Sequence, residues 1–260
     1  MQSRQISAEG VRMRFGSGSA AQTVLDDLDL TIRPGGFVTL LGPSGCGKST
    51  LLKILGGILE PTSGRVLIGG RPVRDAVGDR QIGLVPQRPA LLPWKTALEN
   101  AGLLRQIATG ARGRTETAQA AERALALVGL ADARGKLPHQ LSGGMAQRVS
   151  IARALAMDPA ILLMDEPFGA LDAITRDEMN EKLAEIWAAT GKTIVFVTHS
   201  ISEAIFLSDT VHVMGADPGR VVETLDIELA RPRTREVFAD PLFASYSGRL
   251  RSLLEPKAAV

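Results

Sequence analysis

The sequence predicts an α/β fold with a mainly parallel sheet at its core, antiparallel β elements near the N-terminus and an inserted helical subdomain. Short apolar segments of strand length alternate with helical segments, which is typical of a parallel sheet with right-handed crossovers. Of the 260 residues, 45% are hydrophobic, a proportion that suits strands buried on both faces. A mostly helical block, about residues 88–158, interrupts the alternation between two strands and predicts the inserted subdomain.

The individual elements follow from local patterns. Short apolar runs bounded by turn residues favour strands, whereas apolar residues that recur with the helical period favour helices. The predicted strands are Val11–Phe15, Leu28–Ile32, Phe37–Leu41, Arg65–Ile68, Gln81–Pro86, Ala160–Met164 and Thr193–Thr198. The predicted helices are Ser49–Leu59, Thr115–Leu127, Met145–Met157 and Thr175–Ala188.

The chain is expected to divide into a main domain, residues 1–225, and a C-terminal extension, residues 226–260. The extension opens with the segment ARPRT and ends in an amphipathic helix. The apolar face of that helix would be formed by Phe243, Tyr246, Leu250, Leu253 and Leu254. A helix packed back on the core is favoured over a regulatory or partner-binding surface, although both interpretations remain open.

Bulk properties exclude several classes of protein. The net charge is only +2, and no run of Lys or Arg is present, which disfavours nucleic acid as the main partner. The single cysteine, Cys46, rules out an internal disulfide and fits a reducing compartment. No apolar stretch approaches the ~20 residues that cross a bilayer, and the N-terminus lacks a signal-peptide core. Any work at a membrane is therefore expected to depend on partner proteins.

The segment Gly42–Ser49 matches the phosphate-binding motif G-x-x-x-x-G-K-[ST] in full, between an apolar strand and a helix. Its glycines allow backbone N–H groups to face phosphate oxygens, and the helix adds a positive N-terminal dipole. Lys48 would neutralise the β- and γ-phosphates, and the Ser49 hydroxyl would bind Mg²⁺. A Gly-rich turn before an ordinary helix is the structural alternative. The predicted nucleotide contacts are Gly42, Pro43, Ser44, Gly45, Cys46, Gly47, Lys48, Ser49 and Thr50.

Two adjacent carboxylates end the apolar strand in AILLMDE. Asp165 is suited to hold Mg²⁺, directly or through water, and Glu166 to polarise the water that attacks the γ-phosphate. Acidic residues that merely end a strand are the alternative. Cys46 is expected to be a tolerated small residue rather than a nucleophile, because phosphoryl transfer at such a site requires none.

The segment LSGGM begins a predicted helix. Ser142 would make a good N-cap, and Gly143 and Gly144 would permit a tight entry into the helix. The same geometry offers a second anion site, since it combines a hydroxyl, approachable backbone amides and a helix dipole. Residues alone leave both interpretations open.

Taken together, GPSGCGKST, Gln87, LSGGMAQR, LLMDEP, GALD and His199 occur in the order typical of ATP-binding-cassette (ABC) ATPases. The sequence resembles this family over roughly residues 6–225. The resemblance implies the P-loop NTPase fold and Mg²⁺-dependent ATP hydrolysis. It also implies a homodimer with two sandwiched nucleotides, in which Ser142, Gly143 and Gly144 of one chain close over the γ-phosphate held by the other.

The resemblance carries further roles onto single residues. Gln87 resembles the residue that touches Mg²⁺ and the attacking water, and otherwise would be a polar loop residue. Asp172 resembles the residue that couples the two active sites, or simply caps a helix. His199 resembles the γ-phosphate-binding histidine that orients the general base, although Ser200 stands where the family often has Asp. Phe15 resembles the aromatic that stacks on adenine, with a core phenylalanine as the alternative.

The segments LLPW (91–94), MDEPFGALDAITR and VTHSISEAI, with the tail ARPR…DPLF, are most similar to the ATPases of nitrate, sulfonate and taurine importers. This similarity implies integral-membrane permease subunits as partners, an extracytoplasmic solute-binding protein as an indirect partner, and a location on the cytoplasmic face of the membrane. In the family, the LLPW region forms the groove for a permease helix, whereas buried core is the alternative. The rival functions are a soluble ABC-type ATPase that acts on ribosomes or DNA and an ABC motor of another transport branch.

Overall fold

A computed structural model of the chain describes residues 4–16, 18 and 21–255. The outermost parts of the predicted main domain and extension, residues 1–3 and 256–260, lie outside this description, as do residues 17, 19 and 20. The chain forms two compact units. The first unit contains the chain up to Asp79 and from Gly191 onward, and the second contains residues 80–190.

The elements are numbered in chain order. The strands are β1 (Ile6–Phe15), β2 (Gln22–Ile32), β3 (Phe37–Leu41), β4 (Ser63–Ile68), β5 (Arg71–Pro72), β6 (Ile82–Val85), β7 (Ile161–Asp165), β8 (Thr193–Thr198), β9 (Thr210–Gly215) and β10 (Arg220–Asp226). The helices are α1 (Lys48–Leu55), α2 (Val73–Gly78), α3 (Ala97–Thr109), α4 (Arg114–Leu127), α5 (Gly143–Leu155), α6 (Ala173–Thr190), α7 (Ile201–Leu207) and α8 (Pro241–Leu254).

The first unit contains an antiparallel sheet in the order β2-β1-β4-β5. It also contains neighbouring strands in the order β10-β9-β3-β8, where β3 is parallel to both β8 and β9. Every residue of β3 and β8 is buried, as expected of central parallel strands. Leu41 pairs with Thr198, so β3 and β8 end at the same edge. The phosphate loop and His199 therefore follow neighbouring strand ends.

The second unit pairs β6 with β7 in parallel and adds the helices α3 to α6. Helix α3 begins at a capping box, in which Thr96 accepts a hydrogen bond from the Glu99 amide and Glu99 accepts one from the Thr96 amide. These two bonds satisfy backbone donors that a helix start leaves without partners. The local sequence therefore fixes where α3 begins.

The predicted parallel core and N-terminal antiparallel elements are confirmed, but several element bounds differ and some short elements were not predicted. Helix α1 ends at Leu55 rather than Leu59, because the left-handed backbone of Gly57, at φ 65°, stops it. Strands β9 and β10 have no counterpart among the sequence predictions. Strand β2 begins at Gln22, six residues before the predicted start at Leu28.

Helix α8 of the C-terminal extension packs on the core of the first unit. Phe243 and Leu250 are buried in a cluster with apolar residues of α7, β9 and β10, and Tyr246, Leu253 and Leu254 pack against its edge. The apolar face predicted from the sequence is thus the face that is covered. Among the described residues, no helix combines the length and apolarity needed to cross a membrane.

Candidate nucleotide site

The phosphate loop of the first unit has backbone geometry that only small residues allow. A Cβ at Gly42 would lie 2.7 Å from both the Cys46 Sγ and the Met214 carbonyl oxygen. Gly47, immediately before α1, adopts φ 92°, and a Cβ there would lie 2.6 Å from a methyl carbon of Leu25. Only glycine therefore fits at these two positions, as expected of a glycine-rich loop whose backbone binds phosphate.

Lys48 is positioned over this loop. Its side chain is only 4% exposed, and Nζ donates hydrogen bonds to the carbonyl oxygens of Gly42 and Pro43, both at 2.8 Å. The first turn of α1 carries no acidic residue that would offset the helix dipole. A buried ammonium and a helix start without an acidic residue together fit a polyphosphate.

Cys46 lies inside the loop as a buried thiol. Burial raises its pKa, and the nearby ammonium of Lys48 opposes this shift only in part. The thiol is therefore held in its protonated form at neutral pH, which is the unreactive form of cysteine. This environment agrees with the prediction that Cys46 is not a nucleophile.

His199 is exposed at the end of β8, and its neighbours on both sides are fixed by hydrogen bonds. The Ser200 amide donates to Thr198 Oγ1 at 3.0 Å, and Thr198 Oγ1 donates in turn to the buried carboxylate of Glu203. The Ser200 side chain caps α7 by accepting from the Glu203 amide. Ser200, the departure from the family pattern, thus acts as the cap of α7.

Phe15 ends β1 and is 43% exposed, so it is not part of the core. This exposure removes the core alternative and leaves the ring available to a ligand. The two other histidines lie elsewhere. His139 belongs to a short 3₁₀ turn, and His212 is buried in β9, where burial lowers its pKa to about 4.

In the second unit, Asp165 ends β7 and Glu166 follows it with a left-handed backbone, φ 41°. Such a conformation is costly for a residue other than glycine and is concentrated at functional sites. Glu166 is half-buried, and its Oε2 lies 3.5 Å from Nε2 of Gln87. The structure therefore brings the predicted general base and Gln87 together.

The loop that contains Gln87 is tied to helix α5 on both sides. Gln147 Nε2 donates to the Pro86 carbonyl at 3.3 Å, and the guanidinium of Arg153 donates to the carbonyls of Pro89 and Ala90. Neither α5 residue was identified by the sequence analysis as a support for this loop. These hydrogen bonds join residues about sixty positions apart in the sequence. Their one sequence signal is Gln147, a polar residue among the mostly apolar buried residues of α5.

Ser142 is exposed and accepts a hydrogen bond from the Met145 amide at 3.2 Å, so it does cap α5. Gly144 is buried, and a Cβ on it would lie 2.8 Å from Cγ2 of Thr175. Thr175 also donates through its amide and hydroxyl to Asp172, which lowers the pKa of that carboxyl. The LSGG segment and the Asp172 turn are therefore neighbours, and Asp172 caps α6.

The segment LLPW begins just after the Gln87 loop, with its two leucines partly buried and Pro93 and Trp94 exposed. Asn100, which is fully buried, holds it by accepting from the Leu92 amide and donating to the carbonyls of Leu92 and Lys95. Trp94 is nevertheless 71% exposed. The indole is therefore exposed at the surface and not part of the core.

The predicted Mg²⁺ donors are the Ser49 hydroxyl of the first unit and Gln87 and Asp165 of the second. Among the described residues there is no group of three His, Cys, Asp or Glu that could hold a metal ion. The predicted set of one hydroxyl, one amide and one carboxylate fits Mg²⁺, which keeps several waters and binds nucleotide phosphates with few protein ligands.

Gly219 supports the phosphate loop and was missed by the sequence analysis. Its amide donates to the Val24 carbonyl at 3.0 Å, and its carbonyl accepts from the Asp26 amide at 3.1 Å. A Cβ on Gly219 would lie 2.2 Å from the Cys46 carbonyl oxygen, so only glycine allows this approach. The Asp-Pro-Gly sequence at 217–219 is a turn signal that predicts a hairpin, but not its contact with the loop.

The fold and the phosphate loop define a nucleotide-binding α/β protein, and comparisons with known proteins specify its family. Residues 25–169 match the model of the family described as ABC transporter. The chain is 47% identical over 235 residues to the taurine import ATP-binding protein TauB of Rhizobium johnstonii, covering 88% of each chain. It is 46% identical over 222 residues to the nitrate import ATP-binding protein NrtD of Synechococcus elongatus, covering 85% of this chain and 80% of that one.

A solved dimeric ATP-binding cassette in a post-hydrolysis state with ADP and Pi superimposes with a TM-score of 0.76 at 34% identity. The match covers 86% of this chain and 100% of that one. The chain belongs to the ABC transporter family, as its motif order predicts. It is an ATPase, with ATP and Mg²⁺ as its nucleotide and metal cofactors.

Proposed function

We propose that the chain is the ATP-hydrolysing subunit of an importer for a small solute of the nitrate, sulfonate or taurine type. The observation that carries this proposal is the 46–47% identity to nitrate and taurine import ATP-binding proteins over most of both chains. The exposed indole of Trp94, on a loop braced by Asn100, supports a permease contact after the Gln87 loop. The chain would then work at the cytoplasmic face of the membrane.

In the proposed mechanism the phosphate loop and Lys48 bind the ATP phosphates. Mg²⁺, held by its predicted donors, would supply neutralisation of the phosphate charge. Glu166 accepts the proton of the attacking water, and Gln87, which lies beside it, orients that water. His199 donates a hydrogen bond to the γ-phosphate and thereby stabilises the charge that develops in the transition state.

The site is proposed to be completed by a second copy of the chain. In the second unit Ser142 and Gly143 are exposed, and the first turn of α5 has no acidic residue. A helix start with this composition favours an anion. The likeness to a dimeric cassette with bound ADP and Pi supports a sandwich in which α5 of one protomer faces the phosphate loop of its partner.

Mixing two inactive variants tests this arrangement. Ser142→Asp keeps a capping side chain but places a negative charge against the γ-phosphate, so we expect at least a ~10-fold lower ATPase rate in a folded protein. When it is mixed with Lys48→Ala chains, each mixed dimer contains one site with both faces intact. Random pairing should restore about one quarter of the wild-type rate, measured as phosphate release.

Ser142→Asn, which caps α5 as well as aspartate does but carries no charge, is the matched control and should lose less activity. Subunit exchange is verified by co-purification of differently tagged chains. If verified mixed dimers stay as inactive as the parent variants, the LSGG segment does not act in trans.

Association with a permease separates the importer from a soluble ATPase that acts on ribosomes or DNA. When the chain is co-expressed with a permease encoded beside a solute-binding protein, we expect most of it to sediment with the membranes. When it is expressed without the permease, it should stay in the supernatant. Sedimentation with ribosomes in both cases would contradict the importer assignment and support the rival function.

A further inference from the structure

Two arginines of the C-terminal extension, Arg231 and Arg233, donate hydrogen bonds to the C-terminal end of helix α7. Arg233 is only 6% exposed, and its Nη1 donates to the carbonyl oxygens of Ile205, Phe206 and Ser208 at 2.8, 3.1 and 2.7 Å. Nη2 of Arg231 donates to the Leu207 carbonyl at 2.6 Å. The last three carbonyls of α7, those of Ile205, Phe206 and Leu207, thus accept from the extension.

These contacts supply what α7 itself lacks. The last carbonyls of a helix have no partner within the helix, and a cation at that end is favoured by the helix dipole. Within Ile201–Leu207 the last turn carries no basic residue. Arg233 therefore provides the cation at this helix end. Its other N–H groups donate to the carbonyls of Ile227 and Leu229, which fixes that part of the extension beside the end of α7.

Aromatic packing joins the extension to α7 at a second place. Phe206 of α7 stacks on Phe238 with 5.7 Å between ring centroids, and Phe238 contacts Phe243 of α8 edge-on at 5.0 Å. Aromatic pairs in such offset and edge-on geometries add stability beyond burial alone. The end of α7 is thus fixed by both hydrogen bonds and packing.

The opposite end of α7 carries His199. Ser200 caps the helix, and Glu203 in its first turn accepts from Thr198, on the other side of His199. Helix α7 has seven residues, so its two ends are only roughly 10 Å apart. A displacement at the Arg233 end therefore reaches the backbone of His199 through about two helical turns and the cap.

We propose that Arg233 is a positioning residue of the ATPase reaction: by fixing the C-terminal end of α7, it sets the place of His199 at the N-terminal end. The extension then influences the ATPase rate through the position of His199, in addition to packing on the core. This inference rests on the proposed role of His199 at the γ-phosphate. It implies that Arg233 affects the chemical step rather than ATP binding, since its hydrogen bonds go to carbonyl oxygens between Ile205 and Leu229 and not to the phosphate loop.

Steady-state ATPase kinetics of the full-length chain test the proposal. Arg233→Met, which removes the donors but keeps an extended side chain, should lower kcat at least ~5-fold and change the KM for ATP less than ~2-fold. Arg251→Met, which removes an exposed arginine from the same extension, is the matched control and should leave both constants unchanged. Arg233→Lys retains the charge and some donors, and should give an intermediate kcat with a native melting temperature.

A double-substitution cycle distinguishes positioning from general destabilisation. In a His199→Ala background, Arg233→Met should lower the residual rate less than ~2-fold, because its route to the reaction has been removed. Equal losses in both backgrounds, or an unchanged kcat in both Arg233→Met and Arg233→Lys, would overturn the proposal. If His199→Ala alone keeps the wild-type rate, the proposed role of His199 fails first and this inference fails with it.

Discussion

Replacing Glu166 with glutamine is expected to lower the ATPase rate by at least ~100-fold while leaving ATP binding intact. The amide cannot accept a proton from water, although it has the size of the carboxylate and preserves the neighbour at Gln87. The backbone at Glu166 is left-handed, and both side chains bear the same cost of that conformation. The change therefore removes the general base without a new strain.

Phosphate release measures the rate, and size-exclusion chromatography in ATP measures the assembly. Since the variant binds ATP without hydrolysing it, we expect it to accumulate as an ATP-bound dimer. Glu178→Gln, an exposed substitution on α6, is the control and should behave as the unaltered chain. A Glu166→Gln chain that hydrolyses ATP at the normal rate would show that another group accepts the proton.

Local motifs explain why much of the fold and the nucleotide site could be predicted. The phosphate loop, the strand before it and the strand before His199 are each specified by a short continuous segment. Leu41 and Thr198 end neighbouring strands, so two separate motifs meet at one edge of the sheet. The alternation of strands and helices predicted a mainly parallel sheet, and in such a sheet the segments that follow the strands lie at one edge.

The features that could not be predicted from the sequence, such as strand β10 and the burial of Arg233, depend on contacts between residues far apart in the chain. Strand β10 alternates between exposed and partly buried residues, with only Leu225 fully buried, so its apolar pattern is weak. Arg233 is charged and would ordinarily be placed at the surface. It is buried because backbone carbonyls from α7 and the β10–α8 connection converge on it, and no single segment of sequence contains that information.

The support of the Gln87 loop illustrates the same limit. Gln147 and Arg153 lie on α5, about sixty residues beyond the loop carbonyls that accept their hydrogen bonds. Their side chains hold the loop on both sides of Gln87 and also belong to the helix that Ser142 caps. A movement of α5 therefore has a direct hydrogen-bonded route to Gln87, which motif order does not reveal.

Replacing Lys48 with alanine is expected to weaken ATP binding at least ~30-fold, because the loop loses its only buried ammonium against the β- and γ-phosphates. In the structure Nζ donates to the carbonyls of Gly42 and Pro43, so the ammonium is already held over the loop before a ligand binds. The Lys48 side chain therefore loses little conformational entropy when ATP binds.

Equilibrium titration with a fluorescent ATP analogue gives the dissociation constant, and thermal unfolding checks that the variant is folded. Lys53→Ala lies on the same helix with an exposed side chain, so it removes the same charge from α1 without touching the loop. Its affinity should stay within ~2-fold of the unaltered chain, since exposed charges are screened by solvent. Equal affinities for Lys48→Ala and Lys53→Ala would place the phosphates away from this loop, whereas a selective loss at Lys48 would identify the loop as the ATP site.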